Sequence, residues 1–266
     1  RRENIDSRGM NRRILKLAVP SIFANITVPL VGMVDIAISG RLADVAAIGA
    51  IAVGSMLFDL LYWNFGFLRV GTGGLTAQAY GRRDLKDAMK FFTQGISTAL
   101  VSALFLIAIQ WFFVEGAFLF IECTPEVEAF SREYFFIRIW AAPATLSLFV
   151  FKGWFIGMQN TVSPMAIDIF VNVLNLVASF VLGLHTPLGF AGIALGTVIA
   201  QYSGLALATI LMAIYYRRLF KYVDVRNDIE FKYMKRSYVM NVNLFLRSLC
   251  FMLIYCGLAS LAARYG

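Results

Sequence analysis

The sequence predicts an all-α fold, a polytopic transmembrane helical bundle, and three observations carry that expectation. The 266-residue chain is 59% hydrophobic and only 15% charged, with a mean hydropathy of +0.72, which lies outside the range of soluble domains. Seven segments, 15–39, 49–72, 91–113, 134–157, 164–184, 190–214 and 238–262, each hold the roughly 20 apolar residues needed to cross a bilayer core. The basic residues alternate with loop parity. Arg12, Arg13 and Lys16 stand before or at the start of the first segment, Arg82, Arg83, Lys86 and Lys90 follow the second, and Arg217, Arg218, Lys221, Lys232 and Lys235 follow the sixth. The intervening loops carry mainly Arg41, Arg132 and acids such as Asp44, Glu115, Glu126 and Glu128. By the positive-inside rule the N-terminus is cytoplasmic, in a multi-pass protein of the cell inner (plasma) membrane. The net charge of +8 therefore reflects topology, and no nucleic-acid partner is expected.

Taken in order, the first segment carries Pro20, Pro29 and Asp35 and lacks a small-residue cleavage site, so it is read as a retained span and not as a signal peptide. The second holds Asp59 among Leu57, Phe58, Leu60 and Leu61, where it either lines a cavity or pairs with an asparagine. Gly71, Gly73 and Gly74, followed by Ala77 and Ala79, let neighbouring backbones approach closely. Arg69 and Gln78 either snorkel to the interface or bond across helices. Arg138 and Lys152 fall near the predicted ends of the fourth span, where snorkelling is cheap. Gly157 to Thr161, before Pro164, reads as a turn. In the fifth span Asn172, Asn175 and Ser179 stand at i, i+3 and i+7, on one face of a helix. They either line a cavity or hold helices together. Asp168 near the start of that span is read as structural. The sole histidine, His185, and the cysteines Cys123, Cys250 and Cys256 have no metal-ligand spacing, so no metal and no cofactor is expected.

Asp35 asks for a reason, because an isolated carboxylate in hydrocarbon costs a few kcal/mol on even the gentlest scale. A carboxyl group removed from water can exchange a proton near neutral pH. Gly32 and Ser39 at i−3 and i+4 give its face a small, close-packing character. Pro20 and Pro29 each remove a helix hydrogen bond on the same span and mark where it can bend. The alternative is a static Asp35 paired with an arginine or asparagine.

Four stretches, FLRVGTGGLTAQAYGRRD from Phe67, GWFIGMQNTVSPM from Gly153, NVLNLVASFVLGLH from Asn172 and GFAGIALGTVIAQY from Gly189, resemble the multidrug and toxic compound extrusion (MATE) transporters, most closely their DinF-like branch. The resemblance implies twelve helices in two six-helix lobes. It makes residues 1–214 the N-lobe, 215–238 a cytoplasmic linker and 239–266 the first helix of an otherwise missing C-lobe, with the chain truncated before most of that lobe. It places Asp35 at the family's first-helix aspartate. It also implies a second acid at the place of Ser179, so a sodium site is expected to lack a charge here.

The function expected is cation-coupled antiport, proton more than sodium, exporting small organic cationic or amphipathic compounds across the bilayer. H+ or Na+ would serve as the coupling ion. The alternatives are a lipid-linked precursor flippase of the wider superfamily and a non-transporting membrane fragment. An enzyme is not expected, since the sequence holds no HExxH, no GxSxG and no intramembrane histidine.

Overall fold

The computed structural model describes residues 7–41 and 45–265. Arg1, Arg2, Asp44 and Gly266 lie outside the described residues, as do the side chains of Arg13 and Cys256. Helices account for every regular element among the described residues: α1 (Ser7–Arg41), α2 (Val45–Trp63), α3 (Phe67–Gly81), α4 (Leu85–Ala108), α5 (Gln110–Phe118), α6 (Pro125–Arg138), α7 (Ala142–Gly157), α8 (Val162–Leu184), α9 (Phe190–Tyr216), α10 (Val225–Asp228) and α11 (Phe231–Tyr265), with 3-10 turns at Ile139–Ala141 and Arg217–Tyr222. Among the described residues seven helical segments are long and apolar enough to cross a membrane.

Two of the seven spans depart from the expected form. The second runs Val45–Gly81, longer than the expected 49–72, and is two helices. Asn64, Phe65 and Gly66 form a turn closed by bonds from Phe65 N to Tyr62 O (3.0 Å) and from Leu68 N to Phe65 O (3.0 Å). Asn64 Nδ2 also donates back to the Leu60 carbonyl at 3.0 Å, a local bond that competes with helix continuation. A one-turn break between two apolar helices leaves an averaged hydropathy high, which hides it.

The fourth span runs Pro125–Gly157, beginning nine residues before the expected 134, and is interrupted by the 3-10 turn. Its start is set by local chemistry. Thr124 caps α6 by accepting from Val127 N, Pro125 occupies the first turn, and Glu126 and Glu128 lie at the positive end of the helix dipole. Arg132 extends that polar opening by pairing with Glu115 at 2.6 Å and Glu128 at 2.8 Å. Arg138 is therefore at the middle of the span and not near its end. The expectation that it snorkels to an interface is corrected.

Small residues set how closely the helices pack. A Cβ on Gly153 of α7 would stand 2.3 Å from the Arg69 carbonyl oxygen of α3, so only glycine permits this backbone contact. Around it Trp154 and Phe155 are fully buried. The Trp154 indole Nε1 donates to the Ala88 carbonyl of α4 at 2.9 Å, which satisfies its only polar atom. A second apolar cluster stacks Phe58 of α2 on Phe135 of α6, with ring centroids 4.8 Å apart. The Gly157–Thr161 turn is closed by Asn160, which bonds the Ser163 hydroxyl at 2.9 Å and the Tyr216 hydroxyl at 3.2 Å. Asp168, read as structural, pairs with Lys152 at 2.9 Å. In the stretch between the sixth and seventh spans, α11 begins at Phe231.

Candidate functional site

Asp35 lies in the last third of α1, which packs against α8 and α2, and is 6% exposed. The Ser39 hydroxyl, fully buried, donates to the Asp35 backbone carbonyl at 2.9 Å. It thus contacts the main chain and leaves the carboxyl to other partners. Gly32 is different from expectation: a Cβ there would meet nothing within 4 Å among the described residues, so it packs against none of them closely.

Across the interface Asn175 and Ser179 of α8 are buried. The Ser179 hydroxyl donates to Asn175 Oδ1 at 3.0 Å, and the Thr197 hydroxyl of α9 lies 3.3 Å from the same oxygen. Ser179 also interacts with the Asp35 carboxyl, whose Oδ1 has no hydrogen-bond partner among the described residues. An unpartnered carboxyl oxygen in a buried site is costly. The cluster can take up a proton or a cation. The Thr197 hydroxyl reaches Asn175 because α8 and α9 nearly touch at Gly196, where a Cβ would stand 2.8 Å from Ser179 N and 3.0 Å from Ser179 Oγ.

Asn172 does not join this cluster. Its Nδ2 donates to the Thr27 hydroxyl, which itself donates to the Ala24 carbonyl at 2.6 Å. Thr27 precedes Asp35 by eight residues, about 12 Å along a helix rising ~1.5 Å per residue. One polar stripe on α8 thus serves two places on α1, a site at Asp35 and a tie at Thr27. Pro20 and Pro29 lie inside α1, which continues through both. Asp59 is exposed. It opens on a groove of about 660 Å³ shared with Tyr62, Trp63, Arg69, Phe149 and Arg247.

Sequence reasoning did not single out Thr197 of this region and put Arg138 at a span end. Thr197 carries a hydroxyl within the small-residue run of α9, and that lone hydroxyl was the available signal. Arg138 donates from Nη1 to the Tyr134 hydroxyl at 2.9 Å and sits 4.6 Å over the Phe58 ring. It interacts electrostatically with both Asp35 and Asp59. The Thr124–Pro125 helix start would have placed it at mid-span.

A family model described as MatE matches residues 20–181. The chain belongs to the MATE family. Its DinF-like character also has support: it is 31% identical over 265 residues to DNA damage-inducible protein F of Escherichia coli strain K12, covering 96% of this chain and 56% of that protein. Multidrug and toxin extrusion protein 1 of Oryctolagus cuniculus is 27% identical over 200 residues, covering 74% of this chain and 35% of that one. The chain thus spans little more than half the length of the E. coli relative. Among solved structures, the Vibrio cholerae MATE transporter VcmN in the bent form superposes with a TM-score of 0.83 at 18% identity, covering 97% of this chain and 58% of that one. That likeness concerns the fold. This MATE chain is a multi-pass membrane protein whose helical bundle follows the family's architecture.

Proposed function

We propose that this chain forms the N-lobe, residues 1–214, and the opening helix of the second lobe of a transporter that exports small organic compounds, cationic or amphipathic, in exchange for a cation taken up at Asp35. Residues 215–238 link the lobes on the cytoplasmic side, and the N-terminus is cytoplasmic. The observation that carries the reading is the buried Asp35 carboxyl, with one unpartnered oxygen, facing Ser179 and the Asn175–Thr197 pair.

A proton fits this donor set better than sodium. A hard cation wants several oxygen ligands and usually more than one negative charge, whereas Ser179 supplies only a neutral hydroxyl. Arg138, which interacts with Asp35, adds positive charge that opposes a metal cation. A proton needs one carboxyl oxygen and an acceptor nearby. When Asp35 is ionised, its charge is balanced by Arg138 and by the Ser179 hydroxyl of α8. When it is protonated, those attractions weaken and α1 is held to α8 mainly by apolar contacts and the Asn172–Thr27 bond. Pro20 and Pro29 lower the work of bending α1 between the two arrangements.

Everted vesicles containing the complete gene product test this. With an imposed pH gradient, Asp35→Asn reduces efflux of a fluorescent organic cation to the level of empty vesicles. A sodium gradient alone drives none. Undiminished proton-driven efflux by Asp35→Asn removes the acid from the mechanism, and sodium-driven efflux reverses the ion assignment.

A further inference from the structure

The N-terminal ends of α4 and α11 border a groove of about 520 Å³ that exchange at Asp35 does not use. Its lining is Lys90 of α4 and Lys232, Lys235, Arg236 and Val239 of α11, four cations and one apolar side chain, and among the described residues no acid lines it. The acids nearby, Asp84, Asp87, Asp224 and Asp228, line a neighbouring groove with Lys86 and Lys90. Acids are thus concentrated in that groove and cations in this one, with Lys90 at the border. Like charges gathered around one groove repel each other unless an anion sits among them. Lys235 and Arg236 fall in the first turn of the span Met234–Tyr255, and Lys90 in the second turn of Leu85–Ala108. That is the depth at which phospholipid headgroups meet the hydrocarbon. Lys235 and Arg236 are both exposed, and among the described residues neither forms an ion pair.

We propose that this groove holds the headgroup of an anionic phospholipid, its phosphate among Lys90, Lys232, Lys235 and Arg236 and its acyl chains against the apolar surface below them. Arg236 is positioned in advance, because its Nη2 donates to Gln78 Oε1 of α3 at 2.6 Å. Gln78 therefore bonds across helices, and the remaining guanidinium N–H groups are left for the lipid. A guanidinium matches a phosphate with two parallel hydrogen bonds, and the lysines add point charges around it. The apolar part of the site is also in place. Val239 of α11 lines the groove and is exposed, and Val101 and Leu104, further along the face of α4 that carries Lys90, are exposed as well. Basic pockets between membrane helices at the headgroup level take anionic lipids in this way. A zwitterionic headgroup would bring its own ammonium among four cations and is disfavoured. A water-soluble phosphate ester would meet the same charges but gain nothing from Val239, Val101 and Leu104. Because Lys90 belongs to α4 and the other cations to α11, one bound lipid ties the two helices together.

Lipid binding needs neither transport nor any role for Asp35, so an equilibrium titration tests it. The complete gene product in dodecyl maltoside is titrated with dioleoylphosphatidylglycerol and, separately, with dioleoylphosphatidylcholine, and bound lipid is counted by native mass spectrometry. Phosphatidylglycerol binds at least about fivefold more tightly, the gain expected from a single basic residue near a headgroup. Lys235→Gln with Arg236→Gln abolishes that preference. Arg217→Gln with Arg218→Gln, which removes two exposed charges outside the groove, leaves it in place. Lys235→Arg with Arg236→Lys keeps the charges and retains the preference, which separates loss of charge from damage to the protein. Glycerol phosphate in excess does not displace phosphatidylglycerol. A preference below about fivefold in the unaltered protein, one that survives the glutamine pair in the groove, or one that the Arg217 and Arg218 pair reduces as much overturns the assignment. Displacement by glycerol phosphate would overturn it too, by giving the groove to a soluble phosphate ester.

Discussion

Helices α7 and α1 are both membrane spans, yet they are held in opposite ways. In α7 the packing reaches the backbone: Gly153 faces the Arg69 carbonyl at a distance that excludes a methyl group, and Trp154 is fully buried with its indole nitrogen bonded to Ala88. In α1 the buried side chains among the described residues are Ala24, Asp35, Ile38 and Ser39, while Ile22, Phe23, Ile26, Val28 and Met33 are exposed. The ties from α1 to α8 include two polar contacts, Thr27 with Asn172 and Asp35 with Ser179. An element packed at the backbone resists displacement, because interiors transmit strain and tolerate little change in volume. One fastened by a few polar groups can be released by changing a single charge. The fold thus combines a rigid wall and a lightly held helix, with the titratable group on the latter.

The sharpest break of that contrast is truncation. Trp154→Ala lowers stability by about 3–5 kcal/mol, whereas Phe23→Ala on α1 changes it by less than about 0.5 kcal/mol. Both are read as unfolding in detergent. The two glycines give opposite signs. Gly153→Ala destabilises by about 1–3 kcal/mol through overpacking against Arg69, and Gly32→Ala, with open space around it, stabilises by about 0.5–1 kcal/mol. Equal effects at either pair would erase the distinction between the helices. Cutting one polar tie has a smaller effect: Asn172→Ala costs about 1 kcal/mol and raises amide exchange in the first half of α1 while leaving α7 unchanged.

The smallest effect lies outside the membrane, at α5. Pairing with Arg132 holds the Glu115 carboxyl below the usual glutamate range. A depressed value means that the pairing favours the folded state above the unfolded glutamate value and is lost as pH falls through the folded one. Hydrogen exchange of residues 110–118 should therefore rise on acidification below about pH 4 and should not change between pH 6 and 8. Protection that already fades between those values would assign the tether to another group.

How much of this was legible in the sequence follows from the range of the forces involved. Seven spans and the family could be read because hydropathy accumulates over roughly 20 residues and survives local irregularity. The break at Asn64–Gly66 was averaged away. The start of the fourth span was missed because Glu128, Arg132 and Glu133 lower the apolar average where the helix has already begun, although Thr124 and Pro125 announce it. That one boundary moved Arg138 from interface to mid-depth. Helical spacing correctly put Asn172, Asn175 and Ser179 on one face. Which residues of α1 they meet depends on the axial offset of two helices, which no single-chain pattern encodes. Thr197 and the meeting of Arg69 with Arg247 depend on tertiary packing in the same way.

The central claim is that the charge on Asp35 decides where α1 sits. Spin labels at Ile26 of α1 and Phe180 of α8, both exposed, report that separation by double electron–electron resonance. The labelled protein has its three cysteines replaced by serine, and Ile156 of α7 paired with Phe180 serves as the fixed reference. The Ile26–Phe180 distribution should shift between pH 5 and pH 8 in the chain with Asp35 and stay in one position in Asp35→Asn, with the reference constant in both. The same pH-driven shift in Asp35→Asn, or none in either chain, would contradict the account.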